Sequence, residues 1–173
     1  MIVNSVLRDW NALDPRAAAM TILPCCGSMA WAEALAAERP LVEEQTLLTA
    51  SAIAWSRLSE ADWQEAFESH PRIGESKPQG TATAGALAWS TAEQSTAMDS
   101  EESERKALRD GNARYEQRFG RIFILRARGR SSSEVVAELE HRLLNSLRTE
   151  LVEAAQQQSQ ITDLRLRQWL AGT

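Results

Sequence analysis

The chain has 173 residues, with 24 acidic and 19 basic side chains and a formal net charge of -5 at pH 7. That length suits a single domain whose core needs no disulfide staples, and an acidic chain is a poor match for a nucleic-acid partner. No apolar run is long enough to span a bilayer, and the N-terminus lacks the basic region and apolar core of a signal peptide, so we expect no membrane partner and no exported precursor.

Helical signals dominate the N-terminal third of the chain. Asp14 followed by Pro15 indicates a helix start, because the aspartate can cap N–H groups and proline has no N–H to lose at the first helical position. Ser28 gives a second capping signal, and Trp31 and Leu35 are spaced to share one helical face. Apolar residues at helical spacing continue this pattern, so helices are predicted over 16–23, 29–38 and 42–58, and from Ser59 onward.

Two adjacent cysteines, Cys25 and Cys26, lie between the first two of these helical runs. Neighbours in sequence rarely reach disulfide geometry, so we expect both to be reduced and packed in the core as a small apolar pair. Reduced cysteines suit a cytoplasmic location. Two histidines and an adjacent cysteine pair do not form a metal-ligand spacing, and we therefore predict no metal site.

His70 is predicted at the junction between a helix and a loop. Trp63 and Phe67 place the preceding residues on one helical face, while Pro71 disfavours helical geometry for the residue before it. From such a junction the ring can face a pocket. A neutral imidazole can take or give a proton near pH 7, which makes His70 the first candidate for acid–base chemistry.

Glu93 is the second candidate, and it allows two interpretations. Gly, Ser, Pro, Thr and Ala dominate 74–88, which predicts a loop, and helix resumes at Ser90 and continues to Phe119. Ser90 and Glu93 match a capping box, a pattern that usually marks only a helix start. Alternatively, the N–H groups and positive potential of that helix start could bind a ligand with carbonyl or urea-like groups, with the Glu93 carboxylate and the Gln94 amide beside them.

The C-terminal part of the chain predicts an extended segment followed by more helix. Gly120 is a natural C-cap, and the apolar, β-branched and aromatic segment 121–128 is expected to cross the core without a partner strand. Ser131 and Glu134 form another capping box. The remainder is one broken helix or two, with a shared face formed by Leu139, Leu143 and Leu147. The whole chain, 1–173, is thus predicted to be one all-α helical bundle with irregular loop segments.

Arg165 is the third candidate. Arginines are mostly solvated, but a guanidinium can also hold a substrate carboxylate through two parallel hydrogen bonds. Arg165 and Arg167 lie about 200° apart on a helical wheel, so only one of them can face a common pocket, and the sequence leaves the choice open. The other histidine, His141, stands among charged residues and is predicted at the surface.

The motifs, taken in order, resemble those of the 2-oxo-4-hydroxy-4-carboxy-5-ureidoimidazoline (OHCU) decarboxylases, which form (S)-allantoin at the end of urate breakdown. The resemblance covers nearly the whole chain. Its most specific part is the succession of His-Pro-x-Ile-Gly at 70–74 and Ser-x-x-Glu-Gln at 90–94. Further matches are Cys-Cys-Gly-Ser at 25–28, Asn112, Tyr115, Phe-Gly-Arg-Ile-Phe-Ile at 119–124, Arg142 with Asn145, and Ile161 with Arg165.

The resemblance implies a role for each matched position. His70 corresponds to the catalytic acid/base, Glu93 to an essential carboxylate and Arg165 to the substrate-binding arginine. Further substrate contacts are implied at Pro71, Ser90 and Gln94, and through the backbone around Phe123, Ile124, Leu125 and Ala127. The family resemblance also implies an all-α enzyme that needs no cofactor, acts on a small-molecule substrate and forms a homodimer. A bacterial cytoplasm fits best, since Ala-Gly-Thr at 171–173 is not a peroxisomal address.

Two other functional classes remain possible from the residues alone. One is a helical ligand-binding or interaction module that uses the same pocket without turnover. The other is a decarboxylase or isomerase of a related ureido compound. The co-occurrence of a loop histidine, a helix-start glutamate and a C-terminal arginine favours the OHCU decarboxylase.

Overall fold

A computed structural model describes residues 4–74, 88–89 and 102–172 of the chain, and the regular structure within these ranges is helical. The all-α prediction is therefore confirmed. The helices with defined bounds are α1 (Ser5–Asn11), α2 (Pro15–Ile22), α3 (Met29–Ala37), α4 (Glu44–Ser56), α5 (Glu60–Glu68), α6 (Glu102–Phe119), α7 (Ser132–Arg142) and α8 (Leu147–Ala171), with a single 3-10 turn at Leu23–Cys25.

The described residues fall into two compact units. The first comprises 4–66 together with 159–172, and the second comprises the described part of 67–158. Helices α1 to α4 belong to the first unit, α6 and α7 belong to the second, and α5 and α8 contribute residues to both. The expectation of a single domain over 1–173 stays a prediction.

The first unit is built from capped helices around buried tryptophans. The Asp14 carboxylate accepts a hydrogen bond from the Ala17 N–H at 2.9 Å, as the sequence predicts for a helix start before Pro15. The Trp31 indole N–H donates to the Ser51 carbonyl at 3.3 Å and thereby joins α3 to α4. Trp31 and Leu35 are fully buried, which confirms their shared face. Helix α1 was not predicted, since it is only seven residues long.

The second unit packs α6 and α7 against an extended segment. Gly120 ends α6 with a φ of +68°, and its N–H donates to the Glu116 carbonyl at 2.8 Å, so the predicted C-cap is confirmed. Segment 121–128 has no helix or strand, and most of its apolar residues are buried, as expected for a segment that crosses the core. The capping box of Ser131 and Glu134 opens α7 as predicted.

Two helices, α7 and α8, occupy the C-terminal part of the chain, and one detail of the prediction there is wrong. Leu139 is fully buried, but the side chain of Leu147 is 64% exposed. Leu143 is the C-cap of α7, and a turn separates it from α8, so helical spacing counted from Leu139 does not carry over to Leu147. His141 is exposed, as predicted.

The predicted loop over 74–88 lies mostly outside the described residues. Residues 88 and 89 are helical, just ahead of the predicted helix start at Ser90. Ser90, Glu93 and Gln94 lie outside the described residues. The two interpretations of Glu93, as a cap and as a site residue, therefore both remain predictions.

Candidate active site

His70 lies directly after α5, where the chain leaves the helix. Its backbone N–H donates to the Phe67 carbonyl at 3.1 Å, which closes the last turn, and Pro71 follows in non-helical geometry. The predicted helix-to-loop junction is confirmed. Both residues are buried, and the histidine is only 6% exposed.

Helix α6 holds the loop that follows His70. Arg72 forms a two-point ion pair with Glu116, in which Nη2 donates to Oε2 at 2.8 Å and Nε donates to Oε1. The Asn112 side-chain amide donates to the Ile73 carbonyl at 3.1 Å. Asn112 and Glu116 lie one helical turn apart, so neighbouring positions on one face of α6 hold the Ile73 carbonyl and the Arg72 side chain.

The segment around residues 123–127 is fixed by side chains rather than by a partner strand. The Ile124 carbonyl accepts a hydrogen bond from Arg142 Nη1 at 2.6 Å, and the Arg126 N–H donates to Gln157 Oε1 at 3.0 Å. Phe123 and Leu125 share a buried cluster with Ile73, which connects the segment to the loop after His70 within the second unit.

Several backbone donors of this segment have no partner among the described residues. Within the residues that the structure describes, the N–H groups of Phe123, Ile124 and Leu125 make no hydrogen bond, although these residues are between 2% and 5% exposed. Buried backbone N–H groups are nearly always paired. These three donors are therefore available to a ligand with carbonyl oxygens or ring nitrogens.

The structure decides between the two arginines of the C-terminal helix. Arg165 is completely buried in the first unit, with Nη1 3.5 Å from the Pro24 carbonyl. The side chain of Arg167 is 52% exposed and pairs with Glu44. The solvated alternative for Arg165 is therefore wrong, and Arg165 rather than Arg167 is the residue suited to an enclosed site.

The cysteine pair lies close to Arg165 in the same unit. Cys25 and Cys26 are both fully buried and form no disulfide, as predicted. Burial raises the pKa of the Cys26 thiol to about 12, although hydrogen bonds from Ser28 and Thr162 and the charge of Arg165 oppose this rise. Such thiols stay protonated at neutral pH and are poor nucleophiles or metal ligands.

The predicted site residues are distributed unevenly over the structure. The second unit contains the catalytic candidate His70 and five predicted substrate contacts, which are Pro71, Phe123, Ile124, Leu125 and Ala127, all of them buried. Arg165 belongs to the first unit, and the remaining three lie outside the described residues.

Sequence reasoning missed the roles of several supporting side chains. Glu116 and Asn112 hold the loop after His70, and Arg142 and Gln157 hold the 123–127 segment. The available signal was the i, i+4 spacing of Asn112 and Glu116 on one helix. Spacing gave no signal for Arg142, because a charged residue at a helix end is ordinarily solvated, and only its match to the family pattern marked it.

Two features of the described residues concern metals and membranes. No group of three or more His, Cys, Asp or Glu side chains in them could hold a metal ion. None of the described helices combines the length and the apolar character needed to cross a membrane.

Comparison with known proteins identifies the family. The model of the OHCU decarboxylase family matches residues 11–167. The chain belongs to the OHCU decarboxylase family. This membership confirms the resemblance drawn from the motifs at 70–74 and 90–94.

Individual proteins to which the chain is similar are consistent with this assignment. The chain is 36% identical over 143 residues to the uric acid degradation bifunctional protein TTL of Arabidopsis thaliana, covering 82% of this chain but only 44% of that protein. A crystal structure of an OHCU decarboxylase in the presence of (S)-allantoin is 31% identical, with a TM-score of 0.76 over 87% of this chain and 97% of that one. A crystal structure of an (S)-allantoin synthase, at 18% identity, a TM-score of 0.71 and coverage of 94% of this chain and 53% of that one, supports the fold alone.

Proposed function

We propose that this chain decarboxylates OHCU to (S)-allantoin, with a proton delivered to one face of the product. The observation that carries the proposal is the family match over 11–167, which spans both the His70 junction and the buried segment 123–127. As in the motif comparison, His70, Glu93 and Arg165 are the proposed catalytic residues.

The substrate supplies its own electron sink. Its carboxylate and hydroxyl share one ring carbon, and the neighbouring ring carbon belongs to a C=N bond and bears the ureido group. When the C–CO2 bond breaks, its electron pair can move into that C=N bond. The reaction therefore needs no pyridoxal or thiamine group, and we propose that the enzyme acts without a cofactor or a metal.

The protein must then orient the scissile bond and control one proton. His70 performs the proton transfers, and its burial beside Pro71 keeps bulk water from competing for the product carbanion. Glu93 holds the ureido N–H groups or accepts the proton of the hydroxyl group. The arrangement leaves the division of proton transfers between His70 and Glu93 to experiment.

Arg165 binds the polar ring or the carboxylate of the substrate. A guanidinium that is fully buried is more weakly hydrated than an exposed one and interacts more strongly with an anion. Stabilising the ground-state carboxylate too strongly would slow the loss of CO2, so this contact contributes to catalysis by orienting the substrate.

The backbone of the second unit provides the remaining contacts. The N–H groups of Phe123, Ile124 and Leu125 have no hydrogen bond among the described residues and are suited to oxygen and nitrogen atoms of the ring. Ala127 extends the same segment. Ser90 and Gln94 would bind the ureido and ring groups at a helix start. We further propose that the enzyme works as a cytoplasmic homodimer.

The proposal is tested by supplying freshly made product of urate oxidation and following the circular dichroism of allantoin. The expected result is accumulation of the (S) enantiomer well above the uncatalysed rate. A ligand-binding module would bind the compound without accelerating its decay. A decarboxylase or isomerase of another ureido compound would leave OHCU at its uncatalysed rate, and either result would overturn the proposal.

A further inference from the structure

A buried charged network lies behind segment 123–127 and is not used by the proposed chemistry. Its centre is the ion pair of Arg142, at the end of α7, with Glu150 on α8, whose side chains are 1% and 0% exposed. Arg142 donates to Glu150 Oε1 from Nε at 2.9 Å and also from Nη2. Tyr115 donates its hydroxyl to the same oxygen, and the Asn145 amide donates to Oε2 at 2.8 Å.

The remaining donor of Arg142 is directed to the extended segment. Nη1 donates to the Ile124 carbonyl at 2.6 Å, and the guanidinium carbon lies 4.8 Å from the centre of the Phe123 ring. One side chain therefore contacts the segment at two successive residues, through a charge-assisted hydrogen bond and a cation–π contact. Glu150 fixes the orientation of the guanidinium plane, and that plane fixes the position of the Ile124 carbonyl.

Stability alone is a weak reason for such a network. Moving two charges out of water costs several kcal/mol per ion, and well-packed apolar side chains of the same volume often stabilise a core equally well. A planar guanidinium with a satisfied carboxylate provides directional hydrogen bonds, which apolar packing does not. Segment 123–127 depends on such directional hydrogen bonds for its backbone orientation, because its residues have no strand partner in the described structure.

We propose that Arg142, oriented by Glu150, is a positioning residue that sets the backbone of 123–125 for substrate binding. This inference rests on the proposed function, in which the N–H groups of those residues contact the ring of OHCU. Gln157 plays a smaller part, because its side-chain oxygen accepts a hydrogen bond from the N–H of Arg126 at 3.0 Å, one residue beyond 123–125.

The decisive variant is Arg142→Lys. Lysine keeps a positive charge near Glu150 but lacks the planar fork that reaches both the carboxylate and the Ile124 carbonyl. Contacts made equally in the ground state and the transition state affect KM rather than kcat. We therefore expect KM for OHCU to rise about tenfold or more while kcat stays within about threefold. A merely structural role would lower the active fraction, and hence the apparent kcat, without changing KM.

Arg118→Lys is the matched control. Arg118 lies on α6 in the same unit and donates to the Asn145 carbonyl at 3.0 Å, but it has no contact with 123–125 among the described residues. Its KM should equal that of the wild type. Equal KM values for Arg142→Lys and Arg118→Lys would overturn the proposal.

Gln157→Met keeps the inference testable if Arg142→Lys does not fold. Methionine is similar in length and removes the acceptor for the Arg126 N–H, together with the amide donor to Glu153 Oε1 within α8. A folded Gln157→Met enzyme with a raised KM and little change in kcat would support a positioning network behind the segment. An unchanged KM in this variant, with Arg142→Lys unable to fold, would overturn the proposal in favour of a purely structural network.

Amide hydrogen exchange separates this inference from the proposed function. In folded Arg142→Lys we expect faster exchange of the Arg126 amide, which is hydrogen-bonded to Gln157 and is read in peptides that cover 122–127. Peptides from α4 should not change, and this measurement needs no substrate. Wild-type protein that does not turn over OHCU would overturn the proposed function alone. Unchanged exchange at 122–127 would overturn the positioning role even in an active enzyme.

Discussion

At the scale of single residues, burial distinguishes side chains that have the same chemistry. Arg165 is inaccessible to solvent, whereas Arg167, on the same helix, has a side chain that is 52% exposed and an ion pair with Glu44. His70 is buried and His141 is exposed. In both pairs the buried member is the one that the family motif marks, and a buried polar group near a proposed ligand contact is the stronger candidate for chemistry.

The role of Glu93 is tested by Glu93→Gln. If Glu93 acts on the substrate, turnover should fall by about 100-fold, the typical contribution of a positioned acid or base. If it is only a capping residue, the variant should lose stability and keep its turnover. Melting temperature and turnover, measured on the same preparation, distinguish the two interpretations.

Glu134→Gln is the matched control for that experiment, because Glu134 has the same position in the capping box of α7. Hydrogen bonds from the Ser131 N–H and hydroxyl hold the pKa of Glu134 below its usual value. Ionised Glu134 therefore stabilises the folded protein fully at pH values above the usual glutamate pKa. This stabilisation is lost as the pH falls through the lowered pKa of the folded protein. Glu134→Gln should lower the melting temperature at neutral pH and leave turnover unchanged.

The buried thiols predict resistance to alkylation. Burial raises the pKa of both Cys25 and Cys26, the latter to about 12, so neither forms much thiolate between pH 7 and 9. Iodoacetamide should leave both residues unmodified in the folded protein over this range and label both in urea. Rapid labelling of the folded protein at pH 9, read by mass spectrometry, would contradict this account of the pair.

At the scale of elements, α6 acts as the scaffold of the second unit. Two of its side chains hold the loop after His70, Tyr115 reaches the buried Glu150, and Gly111 allows close approach of α7, since a side chain there would clash with Leu139. Proton transfer depends on placement to within about an ångström. We therefore expect α6 to influence kcat through the loop that it holds.

Glu116→Ala tests that expectation. Removing the carboxylate breaks the ion pair with Arg72 and loosens the backbone next to His70, so kcat should fall about tenfold or more with a smaller change in KM. The control is Glu140→Ala, which breaks another ion pair of α6, that with Arg114, at an exposed position. Such surface pairs contribute about 0–1 kcal/mol, and the control should retain wild-type kcat. Equal kcat values in the two variants would show that the loop does not depend on α6.

At the scale of the whole molecule, local signals in the sequence predicted the helical architecture well. The caps at Asp14 and Ser131 and the C-cap at Gly120 are properties of a few adjacent residues, and all three appear where expected. The prediction that Leu147 shares a face with Leu139 was wrong because the chain breaks between α7 and α8, and residues on either side of a break need not share a face. The periodicity of the sequence does not mark the position of that break.

The site was predictable only in part. The residues around His70 predicted its place at a helix-to-loop junction. Arg165, by contrast, was distinguished from Arg167 only by the resemblance to a family. Arg142 and Gln157 could not be found from spacing, since their importance comes from contacts with residues that are 18 and 31 positions away in the chain. Buried polar networks depend on tertiary contacts that no local pattern encodes.

The homodimer is a prediction about the whole molecule that rests on the family resemblance. Light scattering after size-exclusion chromatography should give about twice the chain mass of 19.2 kDa at micromolar concentration. A mass equal to that of one chain across the concentrations used for turnover would contradict it.

The most direct test of the account is the rate of (S)-allantoin formation by the wild type and by His70→Asn, followed by circular dichroism from fresh OHCU. Asparagine occupies a similar volume and keeps polar atoms, but it cannot transfer a proton near neutral pH. The account predicts rapid formation of the (S) enantiomer by the wild type and near-complete loss in His70→Asn, with an unchanged far-ultraviolet helical spectrum. Wild-type turnover by the folded His70→Asn variant would contradict it.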